Sequence, residues 1–346
     1  MSNTAHAIQI TDSCPVIDYT IYSKVLVMFS GGKDSLACLL HLIEDGCPIE
    51  KMELWHHDID GGIIEGKRES TLMDWSVTRS YCQAVAKAFN IPIYFSWRVG
   101  GFEREMNRNN QKTAPVMFET PTGTFMAGGL RGKESTRRKF PQVSADLSVR
   151  WCSAYLKIDV ASLAINNQKR FVGQKTLVVT GERAEESSAR AKYEVFEPHK
   201  NDARSAKKED CRRHIDHYRP VHSFSEKKVW DLIERHRINP HPAYLLGWGR
   251  VSCSACIFGN KDQWASIRKI SPEQFEKIAK YEEDFGTTIQ RKKSVRDLAE
   301  AGTPYETMTE ENVTLAMSEE YNQKIILDEG EWKLPPGAFG DACGPT

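Results

Sequence analysis

The sequence lacks the features of a membrane or secreted protein. Among its 346 residues there is no run of 18 apolar residues, and residues 1–18 have neither the basic start nor the apolar core of a signal peptide. A charge imbalance is also absent, because Lys and Arg together number 47 and so do Asp and Glu. Overall charge therefore indicates no particular partner, and we expect a cytoplasmic protein.

Nothing in the sequence indicates disulfide bonds. The nine cysteines occur without a secretory signal, which favours reduced thiols, and clustered thiols in such a chain are more often metal ligands than disulfide partners. Four cysteines are scattered and are interpreted as small buried apolar side chains. These four are Cys14, Cys38, Cys47 and Cys82.

Apolar and β-branched runs alternate with helical patterns in the first half of the chain. The strand candidates are residues 25–29, 52–56, 91–95 and 176–179, and the helix candidates are residues 35–43, 72–89 and 155–165. This alternation predicts an α/β protein with a doubly wound, mostly parallel, Rossmann-like sheet. Ligands of such sheets bind outside the carboxyl ends of the strands, and each polar cluster described below follows a predicted strand.

Two long basic segments interrupt the alternation. Residues 97–150 and 197–219 are rich in Arg and Lys. They predict inserted loops that either face a substrate, a nucleic acid or a protein partner, or are simply solvated. We expect an N-terminal extension over residues 1–22, a main domain over 23–260, and a helical appendage with a flexible tail over 261–346.

The stretch FSGGKDS, residues 29–35, follows the first predicted strand and precedes a helical pattern. Gly31 and Gly32 allow consecutive amides to converge on an anion, and the helix N-terminus adds the positive end of its dipole. Lys33 supplies a positive charge, while Ser30 and Ser35 supply hydroxyls. These features predict a phosphate cradle, although the G-x-x-x-x-G-K-[ST] pattern of nucleoside triphosphatases is absent.

Polar residues also follow two other predicted strands. Asp58 is placed to meet a ribose or an adenine, and Gly181 closes the fourth strand. Arg183 and Arg190 lie in the stretch TGERAEESSAR, where their guanidinium groups suit a phosphate or a sulfate. Three carboxylates beside them either orient the arginines, help to hold Mg²⁺, or form a charged helix N-terminus. These are Glu182, Glu185 and Glu186.

Four motifs in order carry a resemblance to a known family. SGGKDS resembles the pyrophosphate loop of the PP-loop ATP pyrophosphatases. WCSAYLKID at 151–159, TGERAEESSAR at 180–190 and a segment at 219–256 that ends in CSAC follow it. Over about residues 22–260 the chain resembles the phosphoadenosine phosphosulfate (PAPS) reductase family, especially its branch of sulfur-transfer proteins that includes the DNA phosphorothioation enzymes.

The resemblance implies a fold of the adenine nucleotide alpha hydrolase type and a role for each motif. The residues implied to hold the triphosphate of ATP are Ser30, Gly31, Gly32, Lys33, Asp34 and Ser35. Lys33, Asp34 and Arg183 are implied to be catalytic, with Arg183 reaching the nucleotide or the substrate anion. Arg190, His241 and Arg250 are implied to line a substrate pocket.

The remaining clustered thiols suggest a metal centre. Cys253 and Cys256 form a C-x-x-C motif, which alone is compatible with iron–sulfur, zinc or redox chemistry. Cys152 matches the family's other cluster half-site, although Trp151 stands where some members have a second cysteine. We expect a 4Fe-4S cluster in preference to zinc or free thiols.

Three cysteines leave one cluster position unfilled. An open iron could bind an external sulfide or a substrate, or Cys211 could complete the set. For zinc, His222 or His241 could be the fourth ligand.

These expectations combine into one predicted activity. ATP, with Mg²⁺, is cleaved between its α and β phosphates, and the adenylated acceptor then receives sulfur. A reductase of PAPS or adenylyl sulfate is an alternative, but Cys343 in the tail FGDACGPT lacks the fuller motif of the reductases. The same motifs are also compatible with a defence or regulatory module that hydrolyses ATP with a partner, and with a nucleotide sensor without catalysis.

Overall fold

Ten strands are present in the structure, a computed structural model that describes residues 15–251 and 253–340. They are β1 (Lys24–Met28), β2 (Met52–Asp58), β3 (Ile63–Ile64), β4 (Lys67–Arg68), β5 (Ile93–Arg98), β6 (Val116–Thr120), β7 (Gly123–Ala127), β8 (Lys175–Val179), β9 (Phe196–Pro198) and β10 (His214–Tyr218). The strands β3 and β4 form a small separate hairpin.

The other eight strands form one sheet in the order β7-β6-β5-β2-β1-β8-β10-β9. Its five central strands, β5, β2, β1, β8 and β10, are parallel. The strands β6 and β7 at one edge and β9 at the other pair in antiparallel fashion. The chain runs from β1 to β2 on one side and later returns to β8 on the other, so β1 marks the switch point of the sheet. The predicted α/β fold with a mostly parallel sheet is therefore confirmed.

Helices cover both faces of this sheet. They are α1 (Lys33–Glu44), α2 (Thr78–Ala88), α3 (Gly101–Met106), α4 (Trp151–Ser153), α5 (Asp159–Asn166), α6 (Glu226–Arg235), α7 (Lys261–Ile270), α8 (Pro272–Phe285), α9 (Val295–Ala301) and α10 (Glu310–Met317). A π-helical turn, Ala154–Ile158, joins α4 to α5. Within the described residues no helix combines the length and the apolar character needed to cross a bilayer.

The strand β1 is buried on both faces because its side chains alternate between two hydrophobic clusters. Val25 and Val27 belong to the larger cluster, and Leu26 belongs to the smaller cluster on the opposite face. Trp264 and Phe275, from α7 and α8, also belong to the larger cluster. The C-terminal helices thus share the core that covers one face of the sheet.

The helix predicted over residues 72–89 begins later, at Thr78. Leu72, Met73 and Trp75 are buried as the pattern suggested, but they lie in a turn. The buried carboxylate of Asp60 accepts the amides of Met73 and Asp74, each at 2.8 Å, and so holds this turn in a non-helical form. Apolar spacing alone does not distinguish such a buried turn from a helix.

The two basic segments contain regular structure, although their composition predicted loops. Residues 97–150 include the β6–β7 hairpin, and residues 197–219 include β10. The strand β10 has the sequence HIDHY, in which only Ile215 and Tyr218 are strongly apolar. Its backbone nevertheless pairs with β8 along its whole length, so tertiary pairing outweighs the local sequence preference.

Candidate active site

The predicted phosphate loop lies between β1 and α1, at the switch point of the sheet. Gly31 has a φ of +80°, and a Cβ there would lie 3.1 Å from the Cys82 thiol, so this position needs glycine. Gly32 is the N-cap of α1 and provides no side-chain cap for the amides of its first turn. Amides at the start of a 12-residue helix that its N-cap residue leaves without a side-chain partner are suited to bind an anion.

The two hydroxyls of the loop bond within the loop itself. The Gly32 amide donates to Ser30 Oγ at 3.3 Å, and Ser35 Oγ donates to the Gly32 carbonyl at 2.9 Å. The hydroxyls of Ser30 and Ser35 also lie 3.2 Å apart. The structure therefore brings all the residues of the predicted cradle into one compact turn.

Lys33 is buried and held by residues far along the chain. Its amide donates to the Tyr244 hydroxyl at 2.8 Å, and its Nζ donates to the Gly249 carbonyl at 2.8 Å. The Glu226 carboxylate lies 3.3 Å from the same Nζ. Burial alone would lower the pKa of Lys33, but Tyr244, Asp34 and Glu226 together raise it, so the ammonium stays charged.

Arg183 joins the phosphate loop to the segment after β8. Its Nε donates to the Asp34 carboxylate at 2.6 Å, and its Nη1 donates to Glu185 at 2.6 Å and to the Phe224 carbonyl at 3.3 Å. Burial opposes its charge, but Asp34 and Glu185 more than compensate and raise the pKa of Arg183. The predicted catalytic pair Asp34 and Arg183 is thus in direct contact.

Gly181 allows this approach of the two segments. A Cβ on Gly181 would lie 2.9 Å from the backbone carbonyl of Asp34, which is too close for any side chain. The absence of a side chain lets the end of β8 pack directly on the first turn of α1. The position predicted from the sequence to bind nucleotide therefore also has a packing role.

The carboxylates beside Arg183 are engaged by arginines or by the backbone. Glu186 binds the guanidinium of Arg190 and accepts the Arg183 amide at 3.0 Å. Glu182 binds the hydroxyl of Thr180. Glu185 and Glu186 therefore contact the two arginines that they were predicted to orient, Arg183 and Arg190.

Asp58, at the end of β2, is buried and paired. It forms an ion pair with Arg79, and His56 Nε2 lies 3.5 Å from its other oxygen. Burial raises the pKa of Asp58, but the bond from His56 and the charge of Arg79 lower it further, so the carboxylate is ionised. Arg79 was not identified from the sequence, because it lies on α2 and nothing local indicates its partner.

His241 lies beneath the phosphate loop with both ring nitrogens engaged. Its Nδ1 accepts the Ala243 amide at 3.1 Å, and its Nε2 lies 3.2 Å from the Thr78 hydroxyl. Complete burial, followed by the charge of His56, lowers the pKa of His241 to about 3. In this conformation the ring is neutral and supports the loop, and its predicted role in a substrate pocket stays a prediction.

The three clustered cysteines lie near one another. Burial raises the pKa of Cys152 to about 11 and that of Cys253 well above its usual value, and the Cys256 thiol raises both further. Lys157 lowers the pKa of both thiols, so it lies within electrostatic range of the same group. A small cavity beside them is lined by Trp248, Arg250, Cys253, Cys256, Phe258, Gly259 and Gln263.

No single-ion site is found at these thiols. Among the residues that the structure describes, no three His, Cys, Asp or Glu side chains are arranged to hold one metal ion. His222 Nε2 bonds the Arg190 carbonyl at 2.9 Å, and Cys211 is exposed at the end of a separate loop. The zinc alternative with His222 or His241 as the fourth ligand is therefore not supported, because both rings are bonded elsewhere, and Cys211 as a fourth cluster ligand stays a prediction. Cys343 lies outside the described residues.

Three arginines of the first basic segment, residues 97–150, form ion pairs with carboxylates of the protein. The buried guanidinium of Arg98 binds the Asp159 carboxylate. Arg108 and Arg137 lie 3.6 and 3.5 Å from the fully buried carboxylate of Glu105. Part of the charge that suggested a nucleic acid or protein partner is thus used for folding, and a partner remains a prediction.

Comparison with known proteins gives one family match and one relative. Residues 122–258 match the sequence model of the phosphoadenosine phosphosulfate reductase domain. A protein of Escherichia phage 186, named "Uncharacterized 37.8 kDa protein in gpa 5'region", is 31% identical over 144 residues, which are 42% of this chain and 39% of that protein. The match thus spans about two fifths of the length of this curated relative.

One solved structure gives a distant superposition. The crystal structure of Candida glabrata FMN adenylyltransferase in complex with FAD and inorganic pyrophosphate has a TM-score of 0.32 and 10% sequence identity, and covers 66% of this chain and 55% of that chain. A superposition at this level does not bear on function. The fold assignment rests instead on the strand order and pairing described above.

The glycine-containing phosphate loop lies at the switch point of a mostly parallel sheet, where α/β proteins of this architecture bind their ligands, and its sequence is similar to that of the PP-loop proteins. The sequence match adds that residues 122–258 are similar to the PAPS reductase domain, as the motifs within that range led us to expect. The matched range includes Arg183 and the clustered cysteines, whereas the phosphate loop precedes it.

Proposed function

We propose that this protein binds ATP at the phosphate loop, cleaves it between the α and β phosphates, and transfers the adenylyl group to an acceptor. The observation that carries the proposal is the arrangement of residues 30–35 at the start of α1, with Lys33 and the Asp34–Arg183 pair beside them. Such an arrangement is suited to stabilise negative charge that develops on a leaving pyrophosphate.

The residues of the site would act mainly by binding charge. An oxygen of the acceptor attacks the α phosphorus, the bond to the bridging oxygen breaks, and pyrophosphate leaves with the electron pair of that bond. The amides at the start of α1 and the Lys33 ammonium stabilise the leaving group. Arg183 fixes Asp34, and so the first turn of α1, relative to the segment after β8.

Mg²⁺ would be held mainly by the nucleotide. Of the three carboxylates predicted to help to hold Mg²⁺, Glu185 and Glu186 are each bound by an arginine, and Glu182 lies 3.4 Å from Arg219 Nε, so they provide few free oxygens for a dedicated metal site. Mg²⁺ commonly binds through one or two carboxylates together with substrate phosphates. When bound in this way it neutralises phosphate charge.

Product analysis tests this proposal. Incubated with ATP and Mg²⁺, the protein is expected to form pyrophosphate and, when water replaces the acceptor, AMP. The α,β-methylene analogue of ATP, which resists cleavage at that position, should give no pyrophosphate and should compete with ATP. Formation of ADP and inorganic phosphate would contradict the proposal, since it requires cleavage between the β and γ phosphates.

We further infer that the activated acceptor receives sulfur at the cysteine site. The donor set of Cys152, Cys253 and Cys256 is all thiol, which suits an iron–sulfur cluster, and Lys157 would offset its negative charge. Cysteine sulfur atoms that bind one ion lie closer together than those that bind the corners of a 4Fe-4S cluster. A bound cluster would supply an iron position for external sulfur.

Anaerobic purification with metal and acid-labile sulfide analysis tests this inference. We expect iron and sulfide in the wild type and loss of both in Cys253→Ala, because the C-x-x-C motif provides two of the three thiols. Cys211→Ala is the matched control, since this cysteine is exposed and lies on another loop. Zinc, or no metal in any of the three proteins, would overturn the cluster assignment.

The family match favours one second candidate, a reductase of PAPS or adenylyl sulfate. Such an enzyme would release sulfite from a sulfonucleotide and consume a thiol reductant, and it would not form pyrophosphate from ATP. Sulfite measured with each sulfonucleotide in the presence of reduced thioredoxin distinguishes the two activities.

A further inference from the structure

The segment at residues 248–251, called here the strap, lies against the phosphate loop. The carbonyl of Gly249 accepts the Lys33 Nζ at 2.8 Å. A Cβ on Gly32 would lie 3.1 Å from the carbonyl oxygen of Val251, so the strap contacts the loop at the N-cap of α1. The strap therefore contacts the phosphate loop at two places, the ammonium group of Lys33 and the backbone of Gly32.

Tyr244 binds the loop and the strap through one atom. Its hydroxyl oxygen accepts the amide of Lys33 at 2.8 Å and is also bonded by the amide of Val251. The side chain is buried, and its ring lies 5.8 Å from the Lys33 Nζ. One phenolic oxygen thus holds an amide of the anion site and an amide of the strap.

The strap is packed on its other side by the C-terminal segment. The Gly337 amide donates to the Tyr244 carbonyl at 2.8 Å. A Cβ on Gly249 would lie only 2.6 Å from the Gly340 carbonyl oxygen, so the two backbones are in close contact. The strap is held between the phosphate loop and residues 337–340.

The strap also leads directly to the cysteine site. Cys253 follows it by two residues, and Trp248 and Arg250 line the same small cavity as Cys253 and Cys256. A displacement of the strap therefore has to move at least one wall of this cavity.

A bound triphosphate and the strap compete for the same groups. Phosphate oxygens are strong acceptors and would draw the Lys33 ammonium and amide, which the strap and Tyr244 now hold. We propose that the strap keeps the site closed until nucleotide binds, and that nucleotide binding displaces it and exposes the thiols of Cys253 and Cys256. This inference rests on the proposed binding of ATP at the loop, and it adds an order to the reaction, with nucleotide bound before the thiols react.

Hydrogen exchange read by mass spectrometry tests the displacement. MgATP is expected to slow exchange in residues 30–35 and to speed it in residues 248–251. In protein freed of any bound metal by a chelator, the labelling of Cys253 and Cys256 by a maleimide should become about tenfold faster, because thiol reactivity rises with exposure and the strap side of their cavity opens. Cys211, which is exposed, and Cys38 and Cys47, which are buried, serve as internal references whose labelling stays constant.

A variant tests the strap without nucleotide. Gly32→Ala pushes against the Val251 carbonyl and should expose the two thiols in the absence of ATP. Gly132→Ala is its control, because a Cβ at Gly132 meets nothing within 4 Å and its φ is not left-handed. Tyr244→Phe, which removes the shared acceptor, should act in the same direction as Gly32→Ala.

The outcomes separate this inference from the proposed function. If MgATP protects residues 30–35 but leaves the strap and the thiols unchanged, the strap is not displaced and the inference is wrong, while ATP binding stands. If MgATP has no effect but Gly32→Ala exposes the thiols, the loop and the thiols are coupled and the proposed nucleotide is wrong. If neither MgATP nor Gly32→Ala has an effect, both are overturned.

Discussion

We expect Lys33→Ala to lower the rate of pyrophosphate release by about 100-fold to 1,000-fold, the loss typical when one preorganised charge-stabilising donor is removed. Lys33 is the cation of the phosphate loop, and its raised pKa keeps it charged at neutral pH. Pyrophosphate carries more negative charge as it leaves than when it is part of ATP, so the lysine stabilises the transition state more than the bound substrate. The rate is measured with saturating MgATP.

The control separates lost catalysis from lost stability. Lys33→Ala leaves the Glu226 carboxylate, 3.3 Å from Nζ, without its cation, which destabilises a partly buried site. The double variant with Glu226→Gln removes that charge and should recover stability but not activity. Lys227→Ala, at an exposed i,i+4 pair with Asp231, should behave as wild type. Pyrophosphate release that persists in folded Lys33→Ala would show that the loop is not the pyrophosphate site.

The sheet and the phosphate loop were predictable because their determinants are local. Val25, Leu26 and Val27 form a continuous apolar run, which is typical of a strand buried on both faces. The adjacent glycines mark the turn that follows, since only glycine adopts the left-handed conformation of Gly31 without strain. The strand, turn and helix are contiguous in the sequence, so no long-range information is needed to place them.

The partners of Lys33 could not be predicted because they lie more than 190 residues away. Tyr244 and Gly249 reach the loop only through the tertiary fold, and Gly249 contributes a backbone carbonyl that no side-chain pattern reveals. Asp58 illustrates the same limit. Its place at the end of β2 was predictable, but its pairing with Arg79 depends on how α2 packs against β2 and β5.

For the three clustered cysteines, the sequence motif and the three-dimensional structure give different information about what they bind. The spacing of Cys253 and Cys256 indicated a paired site, and the structure places Cys152 within electrostatic range of Cys256. Spacing cannot say which group such thiols hold, because a single ion and a cluster require different separations between the same sulfur atoms. Whether the thiols suit an ion or a cluster depends on the distance between Cys152 on α4 and the two cysteines that follow the strap, Cys253 and Cys256.

Arg183→Lys is expected to lower kcat/KM about 100-fold and to reduce the free energy of unfolding by about 1.5–3 kcal/mol, the range for a lost hydrogen bond to a charged group. The guanidinium fork reaches Asp34 and Glu185 at once, each at 2.6 Å, and a lysine retains the charge but cannot make both contacts in this geometry. Kinetics with MgATP and denaturant unfolding of the same preparation measure the two effects.

Arg235→Lys is the matched control, because Arg235 forms an exposed pair with Glu44 and should change neither quantity appreciably. The two measurements also separate two roles for Arg183. If the arginine only holds Asp34 in place, Asp34→Asn should reproduce most of the loss in activity, since it weakens the same contact. If Asp34→Asn is nearly as active as wild type while Arg183→Lys is not, Arg183 itself binds the nucleotide or the substrate anion, and it exchanges its contact with Asp34 for that anion.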